Sequence, residues 1–140
     1  KPIYERLAKP ANDRGIPIIF HICGRFDPFL DDMVDFGVKI VEPTQESNDL
    51  LMLKEKYKGK VGFVGGWDWG NHIPPKYPEY SEEELRESVR STIDKYAPGG
   101  GYAFSSWPIS YAGDPVLPEI KRIIRDEAHW YGRKVYGYKD

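Results

Sequence analysis

The segment His21-Ile22-Cys23-Gly24 carries two side chains whose types and spacing suit metal chemistry. On an extended backbone, residues two apart project to the same side, so the imidazole of His21 and the thiol of Cys23 can reach one cation. Borderline-soft Zn²⁺ accepts nitrogen and sulfur donors and holds four ligands tetrahedrally, which makes zinc the first candidate. The H-x-C pair alone is a short motif, and a packed histidine beside an inert buried cysteine has the same spelling. Position favours the metal: the pair lies at the mouth of the apolar run Ile16-Pro17-Ile18-Ile19-Phe20, next to a glycine that lets backbone come close. Just beyond it, Arg25 and Asp27 can bind a carboxylate, orient the ligands, or simply form a surface ion pair.

Other candidates follow later apolar runs. They are Glu42-Pro43-Thr44-Gln45-Glu46, Gly65-Gly66-Trp67-Asp68-Trp69 and Ser105-Ser106-Trp107. Asp68 and His72, on the long loop after the third run, are further oxygen and nitrogen donors. Trp67, Trp69, Tyr77, Tyr80, Trp107 and Tyr111 supply large rigid surfaces with polar tips, suited to a flat cofactor or aromatic substrate. Packing the Pro-rich loops is the equally simple use of the same rings.

The elements that must position these residues alternate. Ile3, Leu7 and Ala11, four apart, line one helical face that Gly15 can end, although Pro10 weakens that helix. Ile16 to His21 is a continuous apolar run, as in a parallel strand buried on both faces. A helix follows over Phe29–Phe36, stopped by Gly37, then a strand over Val38–Val41. Asn48 or Ser47 can cap a helix through Leu50, Leu51, Leu53 and Tyr57, and Val61–Val64 reads as the third strand. Ser81-Glu82-Glu83-Glu84 is a capping box opening a helix with Leu85, Val89 and Ile93 on its apolar face, and its acidic run suits the helix dipole as a solvated face. Gly101–Ser105 is the fourth strand. Ile120, Ile123, Ile124 and Ala128 share a face of the last helix, before a polar, aromatic tail over Tyr131–Asp140.

Composition narrows the function classes. Leu, Ile, Val and Phe account for 33 of 140 residues, enough for a folded core. The formal charge of −2 lacks the basic excess of a nucleic-acid or anionic-membrane binder. No apolar run approaches the roughly 18 residues of a bilayer span, and the N-terminus lacks a signal-peptide pattern, so a cytoplasmic protein is expected. A single cysteine excludes an internal disulfide framework.

A helix followed by four βα units implies an α/β fold with parallel strands and right-handed crossovers. No G-x-G-x-x-G follows a strand, which argues against a dinucleotide fold. A (β/α)₈ barrel needs about 250 residues. Four units in 140 residues, opening on Lys1 rather than Met, suggest the C-terminal (βα)₄ half of a TIM barrel as a single portion, residues 1–140, without its N-terminal half. In such a fold the loops after the strands form the active face, where all the candidates above lie. Two unpaired edges would then call for a second copy or the missing half as partner.

The run Ile16 to Gly24, with Asp35-Phe36-Gly37-Val38, Gly65-Gly66-Trp67-Asp68, Tyr96-Ala97-Pro98-Gly99-Gly100-Gly101-Tyr102 and Gly113-Asp114-Pro115, resembles the C-terminal half of the uroporphyrinogen decarboxylase superfamily. That superfamily also contains corrinoid-dependent methyltransferases, and the H-x-C-G segment resembles that branch. The resemblance implies a (β/α)₈ barrel and a zinc held by His21, Cys23 and Glu42. It implies methyl transfer between methylcobalamin, presented by a corrinoid protein, and a small-molecule acceptor. Arg25 and Asp68 are the catalytic candidates, Asp68 as a loose match to a G-N-x-D segment, and Trp67, Trp107 and Tyr111 are the cofactor-facing aromatics. The family's remaining zinc ligand is a cysteine in a P-G-C-G turn, where this chain has Gly100. The alternatives are a cofactor-free porphyrinogen decarboxylase, or a non-catalytic fragment that keeps the fold. An isolated half barrel is expected to be inactive under any of these readings.

Overall fold

The computed structural model describes residues 1–74 and 76–137. Among these residues the elements run α1 (Pro2–Asn12), β1 (Ile18–His21), α2 (Leu30–Asp35), β2 (Val38–Thr44), α3 (Leu50–Lys56), β3 (Gly62–Trp67), α4 (Trp69–His72), α5 (Glu82–Tyr96), β4 (Tyr102–Ser106) and α6 (Leu117–Val135). A 3₁₀ turn, Asp27–Phe29, leads into α2. The strands form one parallel sheet in the order β1-β2-β3-β4, as expected for consecutive βα units. Two compact units divide the chain: Lys1–Gly66 with Gly99–Ala103, and Trp67–Pro98 with the chain from Phe104 onward.

In the first unit, β1 pairs with β2 with Ile19 opposite Ile40 and His21 opposite Glu42. β2 pairs with β3, with Thr44 opposite Gly65. Gly65 has φ +135°, and a Cβ there would lie 2.7 Å from the backbone nitrogen of Thr44, so a side chain would force the two strands apart. Phe26, Leu30, Val38, Val41, Leu50, Leu53 and Phe63 form the buried core.

Two expectations change here. Helix α1 does not turn Ile3 and Leu7 inward; both are exposed, and Ala8 is its buried residue. Tyr4 decides the orientation, stacking on Phe36 at 5.5 Å and meeting Phe20 edge-on at 5.4 Å. Tyr4 and Ala8, four apart, carry the packing of this helix, one residue along from the expected Ile3–Leu7 stripe. Pro10 lies inside the last turn of α1, where it has no N–H to give the Arg6 carbonyl and so costs the helix one ladder bond. Strand β1 is likewise not buried on both faces: it alternates, with Ile18 and Phe20 half-buried and Ile19 59% exposed, as befits an edge strand.

In the second unit, Leu85, Val89 and Ile93 of α5 and Ile120, Ile123 and Ile124 of α6 are buried where these two helices pack together. Ser81 caps α5 as the sequence suggests, its hydroxyl accepting from the Glu84 N–H at 3.3 Å. Asp114 caps the start of α6, accepting from the N–H groups of Val116 (2.9 Å) and Leu117 (3.3 Å). Helix α6 runs on to Val135, so the first half of the expected polar tail is helical. The remainder of that tail, from 138, lies outside the described residues.

The acidic face of α5 is not merely solvated. Arg86 donates to Glu82 (2.9 Å) and to Glu127 of α6 (2.7 Å), and Arg90 donates to Glu83, to Glu87 (2.9 Å) and to Glu127 (3.0 Å). Glu127 is only 4% exposed, so its carboxylate is desolvated and depends on both guanidinium groups. Glu127→Ala removes the two bonds between the helices but leaves Arg86 with Glu82 and Arg90 with Glu83 and Glu87, so it is expected to destabilise the fold by about 1.5 to 3 kcal/mol, measured by urea unfolding. Glu83→Ala, on the exposed rim of the same network, should cost less than about 1 kcal/mol.

Candidate metal-binding site

Strand β1 ends on His21, and parallel pairing carries the chain on so that the Ile22 N–H donates to the Glu42 carbonyl at 2.7 Å. The same register brings the side chains of His21 and Glu42 together. His21 Nδ1–H donates to Glu42 Oε1 at 3.2 Å, while Cys23 Sγ lies 3.6 Å from His21 Nε2. A carboxylate can only accept, so Glu42 selects the tautomer whose Nε2 lone pair faces the sulfur.

The separation of these two donors bears directly on metal binding. With Zn–N near 2.0 Å and Zn–S near 2.3 Å, two donors on one tetrahedral zinc lie about 3.5 Å apart. The His21 Nε2 and Cys23 Sγ pair fits that span. Glu42 does not join them as a third donor in this arrangement, because it engages the opposite nitrogen of the ring. Its geometry is that of the carboxylate that orients a metal-bound histidine. Among the described residues no group of three or more His, Cys, Asp or Glu side chains is placed to hold a metal ion. The described residues thus bring two donors together, His21 Nε2 and Cys23 Sγ, with Glu42 on the far ring nitrogen.

Gly100, at the position where the resemblance implies a further thiolate, lies in a run where Gly99, Gly100 and Gly101 have φ of +81°, +72° and +67°. That left-handed backbone is one L side chains rarely adopt, so a cysteine at 100 would be strained even with open space around it.

Two residues that sequence reasoning did not assign to the site hold the Cys23 loop. Asn48 does not cap α3; Asp49 does, accepting from the Met52 N–H at 3.0 Å. Asn48 is instead 4% exposed, accepting from the N–H groups of Phe26 (2.9 Å) and Asp27 (3.2 Å) and donating to the carbonyls of Gly24 (3.0 Å) and Gln45 (3.1 Å). Gln45 Oε1 accepts from the Gly24 N–H. The available sequence signal was two amide side chains three apart in the loop after β2.

Arg25 is exposed and pairs bidentately with Asp27, at 2.7 and 3.1 Å, which realises the ion-pair reading. The guanidinium holds the Asp27 carboxyl below its ordinary value of 3.8, chiefly through these hydrogen bonds, against a smaller upward push from desolvation.

The remaining candidates belong to the second unit. Trp67 cannot face a cofactor: it is 3% exposed, donates from Nε1 to Ser88 Oγ at 3.0 Å, and stacks on His72 at 4.9 Å. The ring serves the packing of the loop, as do Trp69, edge-on to Tyr77 at 5.9 Å, and Tyr77, whose hydroxyl donates to Asp114. Asp68 sits at the start of α4, its carbonyl accepting from the N–H groups of Asn71 and His72. Trp107 and Tyr111 are exposed.

The parallel βα array and this loop placement define the class: part of a TIM-type α/β barrel. A solved methyltransferase from Methanosarcina mazei superposes on 91% of the chain with TM-score 0.57 at 19% identity, and the chain spans 35% of that protein's length. The chain belongs to the uroporphyrinogen decarboxylase (URO-D) family, whose model matches residues 1–106. No curated protein matches it. Among the described residues no helix is long and apolar enough to cross a membrane.

The Arg25–Asp27 pair makes one pH prediction. A depressed Asp27 contributes stability that is present above its unfolded pKa and is lost as pH falls through its lower folded value. Asp27→Asn should be less stable than the parent chain at neutral pH, and the gap should narrow as pH falls below the ordinary carboxylate range, as read by urea unfolding across an acid pH series.

Proposed function

We propose that this chain is part of a methyltransferase that moves a methyl group between a corrinoid on a partner protein and a small-molecule acceptor, with zinc held by His21 and Cys23. The observation that carries the reading is the 3.6 Å spacing of Nε2 and Sγ, with Glu42 on the far nitrogen. The fold likeness to a methyltransferase points the same way. When bound, zinc would lower the pKa of an acceptor thiol, or polarise another acceptor, so that a nucleophile exists at neutral pH.

The protein's own groups have separate tasks in this scheme. Glu42 accepts the Nδ1–H hydrogen bond, which leaves Nε2 as the lone-pair nitrogen. Cys23 supplies the softer donor from an exposed position. Arg25, two residues on, uses Nε and Nη2 on Asp27 and presents Nη1 to a carboxylate of the acceptor. Trp107 and Tyr111, exposed, and Asp68 belong to the other unit. The isolated chain, lacking most of the length of the solved neighbour, is proposed to be catalytically incomplete. A cytoplasmic setting belongs to the same proposal.

A second reading, cofactor-free decarboxylation of a porphyrinogen, is favoured by one observation: the described residues bring only two donors to the candidate ion. Elemental analysis decides between them. The purified chain is expected to carry zinc, Cys23→Ser and His21→Ala to lose it, and Glu42→Gln to bind about 10- to 100-fold more weakly. Absence of stoichiometric metal from the parent chain, together with porphyrin binding, would establish the second reading instead.

Ile3, Leu7, Ile16 and Ile19, all exposed in the first unit, support pairing with the rest of a barrel or with a second copy. Light scattering is expected to show a species larger than the monomer, and a monodisperse monomer would contradict it.

A further inference from the structure

We infer that Asn48, assisted by Gln45, is the positioning residue that aims the Cys23 thiol at the His21 imidazole. The metal-affinity part of this inference rests on the zinc reading above; the mechanical part does not. An amide side chain has two lone pairs and two hydrogens. Asn48 uses both sides, taking the N–H groups of Phe26 and Asp27 on its oxygen and giving its hydrogens to the carbonyls of Gly24 and Gln45. Gln45 takes the remaining polar group of Gly24, its N–H. On the other flank, Ile22 is tied to the Glu42 carbonyl.

Cys23 thus sits between two anchored residues, with its backbone placed by neighbours while its own side chain is exposed and touches His21. A ligand that must meet an ion at a fixed distance needs this combination. Burial makes the anchor strong, because at 4% exposure water cannot replace the bonds that Asn48 makes. Only a neutral amide serves: a carboxylate at 48 could still accept from Phe26 and Asp27 but would face the Gly24 and Gln45 carbonyls with no hydrogen to give. Asn48 touches neither sulfur nor imidazole in this arrangement, so it acts through the loop and is not a catalytic residue.

The test uses the 140-residue chain and Co²⁺ as the metal probe, followed by its sulfur-to-metal absorption, with amide hydrogen exchange at Phe26 and Asp27 measured in parallel. Thr92→Ala is the control, since Thr92 is buried in α5 of the other unit and donates to the Ser88 carbonyl at 2.8 Å. Asn48→Ala and Asn48→Asp are expected to weaken Co²⁺ binding about 10- to 100-fold and to lose protection at Phe26 and Asp27. Thr92→Ala should lower the unfolding midpoint while leaving Co²⁺ affinity unchanged. Equal affinity losses in Asn48→Ala and Thr92→Ala, or unchanged affinity and protection in the Asn48 variants, would overturn the inference. If the Asn48 variants do not fold, Gln45→Ala, which removes the single bond to Gly24, should show a smaller loss of the same kind, and unchanged affinity there overturns it.

Should the parent chain take up no Co²⁺, the zinc reading fails and the positioning claim is judged on the alkylation rate of Cys23, the chain's single cysteine, by iodoacetamide. A rate altered several-fold in Asn48→Ala, with lost amide protection, sustains it; an unaltered rate with intact protection sinks it.

Discussion

Parallel pairing of β1 with β2 in one register is the constraint on which the candidate site depends. Placing His21 opposite Glu42 does two things at once: it gives the imidazole a carboxylate on Nδ1, and it runs the two following loops side by side. A slip of one residue would send Glu42 to the other face of the sheet and leave His21 without its partner. It would also carry Gln45 and Asn48 away from the Gly24–Asp27 backbone that they hold. Backbone hydrogen bonds, which carry no chemistry themselves, therefore decide which side chains can act together.

The division of labour among polar groups follows burial. Asn48 and Glu127 are both nearly inaccessible, and each is saturated with partners, because an unpaired polar group at such a position would be costly. Asn48 secures a loop against its neighbour, and Glu127 secures α5 against α6 through Arg86 and Arg90. His21 and Cys23 are exposed, which leaves them accessible.

The glycines mark where close approach replaced side chains. Gly65 allows β3 to lie against Thr44, and Gly99, Gly100 and Gly101 turn the chain through three successive left-handed conformations before β4. The backbone geometry of the latter turn accounts for its glycines.

The amino-acid sequence by itself determined the alternation of strands and helices, the H-x-C pair, the capping box at Ser81 and the apolar faces of α5 and α6, because each rests on local spacing. It also carried the family. What it left open was every choice made between segments. Tyr4 packs α1 against Phe20 and Phe36, rings sixteen and more residues away along the chain, while Ile3 and Leu7 stay exposed. Trp67 became a packing residue because Ser88 and His72 claimed it. Asn48 left the helix cap to Asp49 because backbone groups of a distant loop were in reach. Tertiary structure alone made these decisions, since hydrogen bonds and ring contacts between distant segments leave no periodic trace in the chain.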